Sequence, residues 1–128
     1  MSLSALKRAS VMAGGGALVV LGLLHVAVGL PALQRAVERG DLARRLAAPQ
    51  MVNWVFSGAA MSLFGVFVLL ASRELNHERR LASRLIGVAG VFFTAVGLAA
   101  YAFQPTPAVL VFAAVGLMLW VPVAGSSK

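Results

Sequence analysis

The sequence predicts an all-α integral membrane protein, a bundle of four transmembrane helices, and three charge-free stretches carry this prediction. No Lys, Arg, Asp or Glu occurs in residues 9–34, 46–72 or 85–127. A helix needs about 20 apolar residues to cross roughly 30 Å of hydrocarbon, so the first two stretches each hold one span. The third stretch is long enough for two spans, which the polar and proline-rich residues 104–107 separate.

The composition supports a membrane protein. Hydrophobic residues make up 60% of the chain and charged residues 12%, far from the averages of soluble domains. The length of residues 1–128 fits one transmembrane domain. The net charge of +7 comes from clusters beside the apolar spans, so we expect membrane lipids as partners and no nucleic acid. The chain has no cysteine, which excludes disulfides and thiolate metal sites.

Local signals place the ends of the four spans. We expect span one to end at Pro31, and we expect Asn76 to cap the third helix. Thr106 followed by Pro107 is a typical start for the fourth helix, which should form an antiparallel hairpin with the third. Span one is longer than the apolar core of a signal peptide, so we expect it to be retained. The predicted spans are residues 10–30, 49–72, 80–103 and 107–124.

Residues 32–48, between the first two spans, are predicted to form one or two short amphipathic helices on the membrane surface. Leu33 and Val37 repeat at helical spacing, as do Leu42 and Leu46, with arginines and acidic residues between them. A solvated basic loop is the alternative for this segment.

The distribution of basic residues predicts that both termini face the cytoplasm. Seven of the 11 Lys and Arg residues lie in the N-terminal segment, in or beside the second loop and in the C-terminal tail, and the other four lie in the first loop. Residues 73–80 carry both signs of charge and are expected to contact anionic lipid headgroups or to dock a partner. The bias towards alanine, glycine, valine and arginine suggests a GC-rich genome, and we expect the bacterial inner membrane.

Glycines recur every seven residues along three of the predicted spans. Seven residues are nearly two helical turns, so each set lies on one helix face. Small residues let helix backbones approach closely, which is a main source of helix association in lipid. These faces are therefore predicted to pack against other helices or another subunit, with Leu, Val and Phe outward. The glycines are Gly15, Gly22, Gly29, Gly58, Gly65, Gly90 and Gly97.

The two tryptophans are predicted to anchor the chain at the two membrane surfaces. Trp54 lies near the outer end of span two, and Trp120 lies near the inner end of span four. Indole prefers the headgroup boundary, so the pair fits two aromatic belts.

One ionisable residue, His25, lies within a predicted span, and such residues are functional candidates. Other polar side chains lie in the outer half of neighbouring spans, and together they suit a pocket that opens outward. A neutral imidazole both donates and accepts hydrogen bonds, which suits a lipid carbonyl or a quinone oxygen. The candidate ligand-binding residues are His25, Asn53, Ser57, Tyr101 and Gln104.

Three roles stay open for His25. They are a structural hydrogen bond worth under about 2 kcal/mol, contact with a small apolar ligand, and ligation of haem or a metal by two copies of the chain. His77 lies in the opposite loop, so it does not pair with His25 in one chain. The hydroxyls of Ser57, Ser62 and Thr94 have no evident base beside them and are expected to bond to their own helices. We therefore predict no enzyme activity and no cofactor other than a bound lipid or quinone.

The four spans are joined by a longer first loop and a tight last hairpin. The segments that carry a family resemblance are Gly22, Leu23, Leu24 and His25 in span one and residues 54–65 in span two. In this plan the chain resembles the DoxX-like group of small bacterial membrane proteins. The resemblance covers the whole chain as topology and implies accessory or loosely redox-associated membrane roles. A lysine often follows the span-one glycine in that group, whereas His25 takes this position here.

These observations predict a non-catalytic accessory or structural subunit of a larger membrane complex. Its expected partners are other membrane protein subunits or further copies of the chain. The alternative is a binding protein for a quinone or lipid, held in an outer-half pocket around His25.

Overall fold

The computed structural model describes residues 3–74, 79–103 and 105–124, with the backbone alone at residues 3, 4 and 79. Within these ranges the chain forms four α-helices and no strand, which confirms the predicted all-α class. The elements are α1 (Leu3–Glu38), α2 (Arg44–Glu74), α3 (Arg79–Phe103), a 3-10 turn (Pro107–Val109) and α4 (Leu110–Ala124).

All four helices are long and apolar enough to cross a membrane. Their most apolar windows have a mean hydropathy of 2.0 to 2.2. By length and composition the chain is therefore consistent with a multi-pass membrane protein. The candidate spans are Ala5–Glu38, Arg44–Glu74, Arg80–Phe103 and Pro107–Ala124.

Helix α1 continues through Pro31 to Glu38, so the predicted helix end at Pro31 is wrong. Proline removes one backbone donor, but residues 32–38 contain no glycine or second proline, and most of them are good helix formers. Arg35 Nε also donates a hydrogen bond to the Pro31 carbonyl oxygen at 3.2 Å, one turn away. The membrane span at residues 10–30 stays a prediction within this longer helix.

A glycine ends α1 and starts the turn to α2. Gly40 has a φ of +79°, the left-handed conformation that glycine adopts most easily. Its N–H donates to the Val37 carbonyl oxygen at 3.1 Å, and Asp41 N–H donates to Ala36 at 2.9 Å. This pair of bonds is a Schellman cap. The fully described connection holds no further helix, so the short surface helices predicted in residues 32–48 are instead the ends of α1 and α2.

The connection between α3 and α4 begins the last helix with a 3-10 turn. Thr106 is extended, with φ −109° and ψ 136°, and Pro107 follows in the first turn. Val109 N–H donates to the Thr106 carbonyl oxygen at 3.1 Å. Thr106 therefore holds the predicted cap position, although its side chain makes no capping hydrogen bond. Asn76, the predicted cap of α3, lies outside the described residues.

The described chain forms two compact units. The α3–α4 unit contains the described residues up to Ala17 and those from Gly65 onward, and the second unit is Leu18–Phe64. Helices α1 and α2 each contribute to both units, because the division points lie inside them. In the α3–α4 unit, Ser10 Oγ of α1 donates to the Met118 carbonyl oxygen of α4 at 2.9 Å. The single domain of residues 1–128 stays a prediction.

Candidate functional site

His25 lies in a close aromatic pair within the Leu18–Phe64 unit. Its ring stacks on the indole of Trp54, with centroids 4.4 Å apart and an angle of 3° between the planes. Trp54 Nε1 also donates a hydrogen bond to the His25 carbonyl oxygen at 2.7 Å. The pair thus joins α1 to α2 by a ring contact and by a hydrogen bond.

Gly29 makes room for the indole. It lies four residues after His25 and therefore on the same face of α1. A Cβ at this position would overlap the indole of Trp54. Trp54 therefore packs α2 against α1, a role that the sequence did not indicate. Its anchoring at the membrane surface stays a prediction.

The edge of the His25 ring is available for a ligand. The side chain is half-buried, and its ring nitrogens have no hydrogen-bond partner among the described residues. A neutral imidazole there offers one donor and one acceptor. No group of three His, Asp or Glu side chains in the described ranges is placed to hold a metal ion.

The other predicted pocket residues lie in different settings. Asn53 is exposed on α2, and Ser57 Oγ donates to the Asn53 carbonyl oxygen at 2.7 Å, the predicted bond to its own helix. Tyr101 is exposed near the end of α3 and belongs to the α3–α4 unit. Gln104 lies outside the described residues. One pocket containing all five side chains stays a prediction.

Two glycines bring the backbones of α1 and α2 into direct contact. A Cβ on Gly22 would lie 2.5 Å from the Gly58 carbonyl oxygen, and a Cβ on Gly58 would lie 2.7 Å from the Gly22 carbonyl oxygen. Only glycine fits on both sides, and the reciprocal geometry suits Cα–H···O contacts. Ser62, one turn after Gly58, donates Oγ to the Val19 carbonyl oxygen at 3.3 Å. Its bond crosses to α1, so the predicted bond to its own helix is wrong.

A second glycine pair joins α3 to α4. A Cβ on Gly90 would lie 2.8 Å from the Gly116 carbonyl oxygen, and a Cβ on Gly116 would lie 2.6 Å from the Gly90 carbonyl oxygen. Thr94 Oγ1 donates to the Gly90 carbonyl oxygen at 2.8 Å, which confirms its predicted bond to its own helix. Further along, a Cβ on Gly97 would lie 2.9 Å from Ala113 Cβ. The two helices are therefore held at backbone distance over about two turns.

The remaining predicted packing and anchoring residues also lie in the α3–α4 unit. A Cβ on Gly15 would lie 3.0 Å from Val68 Cγ1, so this glycine faces α2. Gly65 is buried. Trp120 is exposed, and its backbone nitrogen would lie 2.6 Å from a Cβ on Gly90.

The partner glycine Gly116 was missed by the heptad spacing, because α4 holds no second glycine to form a pair. A different signal was present on the facing helices. Gly58 and Ser62, and likewise Gly90 and Thr94, are small residues four positions apart, a pattern that favours close helix packing. Both pairs lie where the facing backbones are in close contact.

No protein-family model, curated protein or solved structure matches this chain.

Proposed function

We propose that this chain is a multi-pass protein of the bacterial inner membrane that serves as a non-catalytic accessory subunit, beside other membrane proteins or copies of itself. The observation that carries the proposal is the exposure of large apolar side chains along the helices. Val52, Phe56, Val88 and Phe92 are between 50% and 71% exposed. Such a surface needs an apolar cover, which lipid and neighbouring helices both supply.

The energetic scale supports a membrane setting. Removing one Val, Leu or Phe side chain from water gains about 1.5–3 kcal/mol. Exposed residues of these types occur on all four helices. The net stability of a soluble domain is only about 5–15 kcal/mol, so leaving all of them in water would cost more than a soluble fold retains.

A small-residue face on α1 supports a protein neighbour in addition to lipid. Ala9, Ala13 and Gly16 follow each other at helical spacing, and both alanines are exposed. A Cβ on Gly16 would meet no atom within 4 Å, whereas its neighbours Gly14 and Gly15 face other helices of the chain. Small residues on an open face let a helix from another subunit approach closely.

Hydroxyl groups in the described helices support a structural role over a catalytic one. Five of them donate to a backbone carbonyl within a helix or between helices rather than to a general base. The resemblance to the DoxX-like group belongs to the same proposal, because it implies accessory roles. These five residues are Ser10, Ser57, Ser62, Ser72 and Thr94.

The test is purification from the native membrane in a mild detergent, followed by native mass spectrometry. We expect the wild-type chain to co-purify with a membrane protein in fixed stoichiometry or to form a defined oligomer. Gly16→Leu should release that partner while the circular dichroism stays unchanged. Val28→Leu, an enlargement at an exposed position of the same helix, is the control and should retain it. A wild-type chain that emerges as a lone monomer would refute the proposal.

The second candidate function is binding of a small apolar ligand, a quinone or a lipid, at His25. The observation that favours it is the half-buried imidazole whose ring face rests on Trp54 while its nitrogens lack a partner among the described residues. In hydrocarbon an unpaired polar group is costly, so a ligand carbonyl beside the ring would be stabilising.

His25→Leu separates this candidate from a purely structural role. The hydrogen bond from Trp54 goes to the backbone carbonyl of residue 25, which leucine retains, so the fold should survive. We expect the organic extract of the purified variant to contain at least about tenfold less quinone or lipid per chain, the effect of about 1.4 kcal/mol. Leu24→Ala, at the exposed neighbouring position, is the control. Equal retention by all three proteins would end this candidate.

A further inference from the structure

A basic groove lies between the first turns of α3 and the last turns of α4, apart from the sites above. It opens onto the protein surface and has a volume of about 420 Å³. Its walls combine two guanidinium groups, a hydroxyl and an indole. The residues are Arg80, Ser83, Arg84 and Gly87 of α3, with Trp120 and Val123 of α4.

The spacing of these residues explains why the groove exists. Arg80, Arg84 and Gly87 lie on one face of α3, since residues four and three apart are neighbours on a helix surface. Gly87 has no side chain to fill the space, and among the described residues a Cβ there would touch only Val123 Cγ2, at 3.5 Å. The gap at Gly87 therefore leaves room next to Trp120.

The described lining of the groove is positively charged. Among the described residues, no acidic side chain lines it and neither Arg80 nor Arg84 forms an ion pair. The first turn of α3 contains no acidic residue, and the partial positive charge of a helix N-terminus lies at the same end. Guanidinium groups and helix N-termini both favour phosphate oxygens.

The surface beyond the groove is apolar, which distinguishes a lipid from a soluble phosphate. Val91 continues the Arg84–Gly87 face of α3 by one turn, and it is exposed. On α4, Leu117 lies three residues before Trp120 and therefore on the same helix face. The side chains of Leu117 and Trp120 are both exposed. A ligand that fits this surface has an anionic head and a hydrocarbon tail.

We propose that this groove binds an anionic phospholipid, with Arg80 and Arg84 on the headgroup phosphate, Trp120 at the glycerol level, and acyl chain along Val91 and Leu117. Basic pockets between membrane helices on the cytoplasmic side are suited to such headgroups. The predicted topology places this end of α3 at the cytoplasmic surface. The site rests on the proposed membrane embedding but not on the accessory role, so a chain without a protein partner could still bind the lipid.

The test uses Trp120 as the reporter in the full chain. In a Trp54→Phe background Trp120 is the only tryptophan, because the chain has two. The protein is placed in phosphatidylcholine nanodiscs that contain equal small fractions of phosphatidylglycerol, with either lipid brominated on its acyl chains. We expect brominated phosphatidylglycerol to quench Trp120 at least about fivefold more effectively per mole, the contribution of one basic residue near a headgroup.

Two double variants of equal charge identify the site. Arg80→Gln with Arg84→Gln should abolish the selectivity, whereas Arg44→Gln with Arg45→Gln, at the start of α2, should leave it intact. Native mass spectrometry of otherwise wild-type proteins repeats the comparison by counting bound phosphatidylglycerol, which covers a failure of the Trp54→Phe background to fold. Equal quenching by both lipids, or equal loss in both variants, would overturn the proposal. Displacement of the lipid by inorganic phosphate at constant ionic strength would also overturn it, in favour of a free-phosphate site.

Discussion

Replacing Gly22 with alanine should force α1 and α2 apart at their crossing in the Leu18–Phe64 unit. The added carbon would lie 2.5 Å from the Gly58 carbonyl oxygen and 2.8 Å from the Ser62 nitrogen. Ordinary contacts of a Cβ begin at 3.4 Å, so the backbones must separate by about 0.9 Å. The carbon would also overlap Ser62 Oγ, which a change of rotamer could move, but the Gly58 oxygen and the Ser62 nitrogen belong to the main chain and no rotamer change relieves their overlap.

The expected cost follows from this displacement. A gap of about 0.5–1 Å removes a quarter to a half of each dispersion contact along the crossing, and overpacking of this kind costs about 1–3 kcal/mol. The higher helix propensity of alanine offsets up to about 1 kcal/mol of this cost. We expect Gly22→Ala to lower the free energy of unfolding by about 1–2 kcal/mol.

Trp54 reports on this crossing, because it packs on α1 beside Gly29. In a Trp120→Phe background it is the only tryptophan, so its fluorescence follows unfolding by sodium dodecyl sulfate in maltoside micelles. Gly16→Ala on the same helix is the matched control, since a Cβ there meets no atom within 4 Å. The control should equal or exceed the wild-type stability. A Gly22→Ala chain as stable as that control would refute the packing account.

Three further predictions use the same unfolding measurement. Ser62→Ala removes a hydrogen bond between helices and should cost up to about 1.7 kcal/mol, whereas Ser57→Ala removes a bond within α2 and should change stability by less than about 0.5 kcal/mol; equal effects would contradict this. Trp54→Phe keeps a ring against His25 but loses the indole donor, so Trp120 fluorescence should show a loss of about 1 kcal/mol, and no loss would show that the bond contributes nothing. Gly40→Ala should cost about 1–2 kcal/mol because of the positive φ, and Gly40→Asn should cost less; the reverse order would argue against the cap.

The number and class of the helices were predictable because they depend on local composition. Charge-free apolar stretches of sufficient length form helices wherever backbone hydrogen bonds must be made within the segment. The helix ends were harder to predict. Pro31 was expected to stop α1, but helix-forming residues follow it and the actual stop is the left-handed Gly40.

The candidate site was predicted only in part. His25 and Trp54 each stood out in the sequence, one as an ionisable residue in a span and the other as an anchor. Their stacking was not foreseen, because it depends on Gly29 leaving space for the indole. The basic groove likewise had no sequence signal beyond its arginines, because Arg84 and Trp120 are far apart along the chain.

The amino-acid sequence alone determined that this protein has four apolar helices and that glycines mark particular faces of them. Only the tertiary structure decided that Gly22 meets Gly58 and that Gly90 meets Gly116. The physical reason is that helix formation depends on neighbouring residues, whereas pairing depends on the register between segments that are distant in the chain. That register is set by close contacts that tolerate shifts of only a few tenths of an ångström, and the spacing of residues within one helix does not contain it.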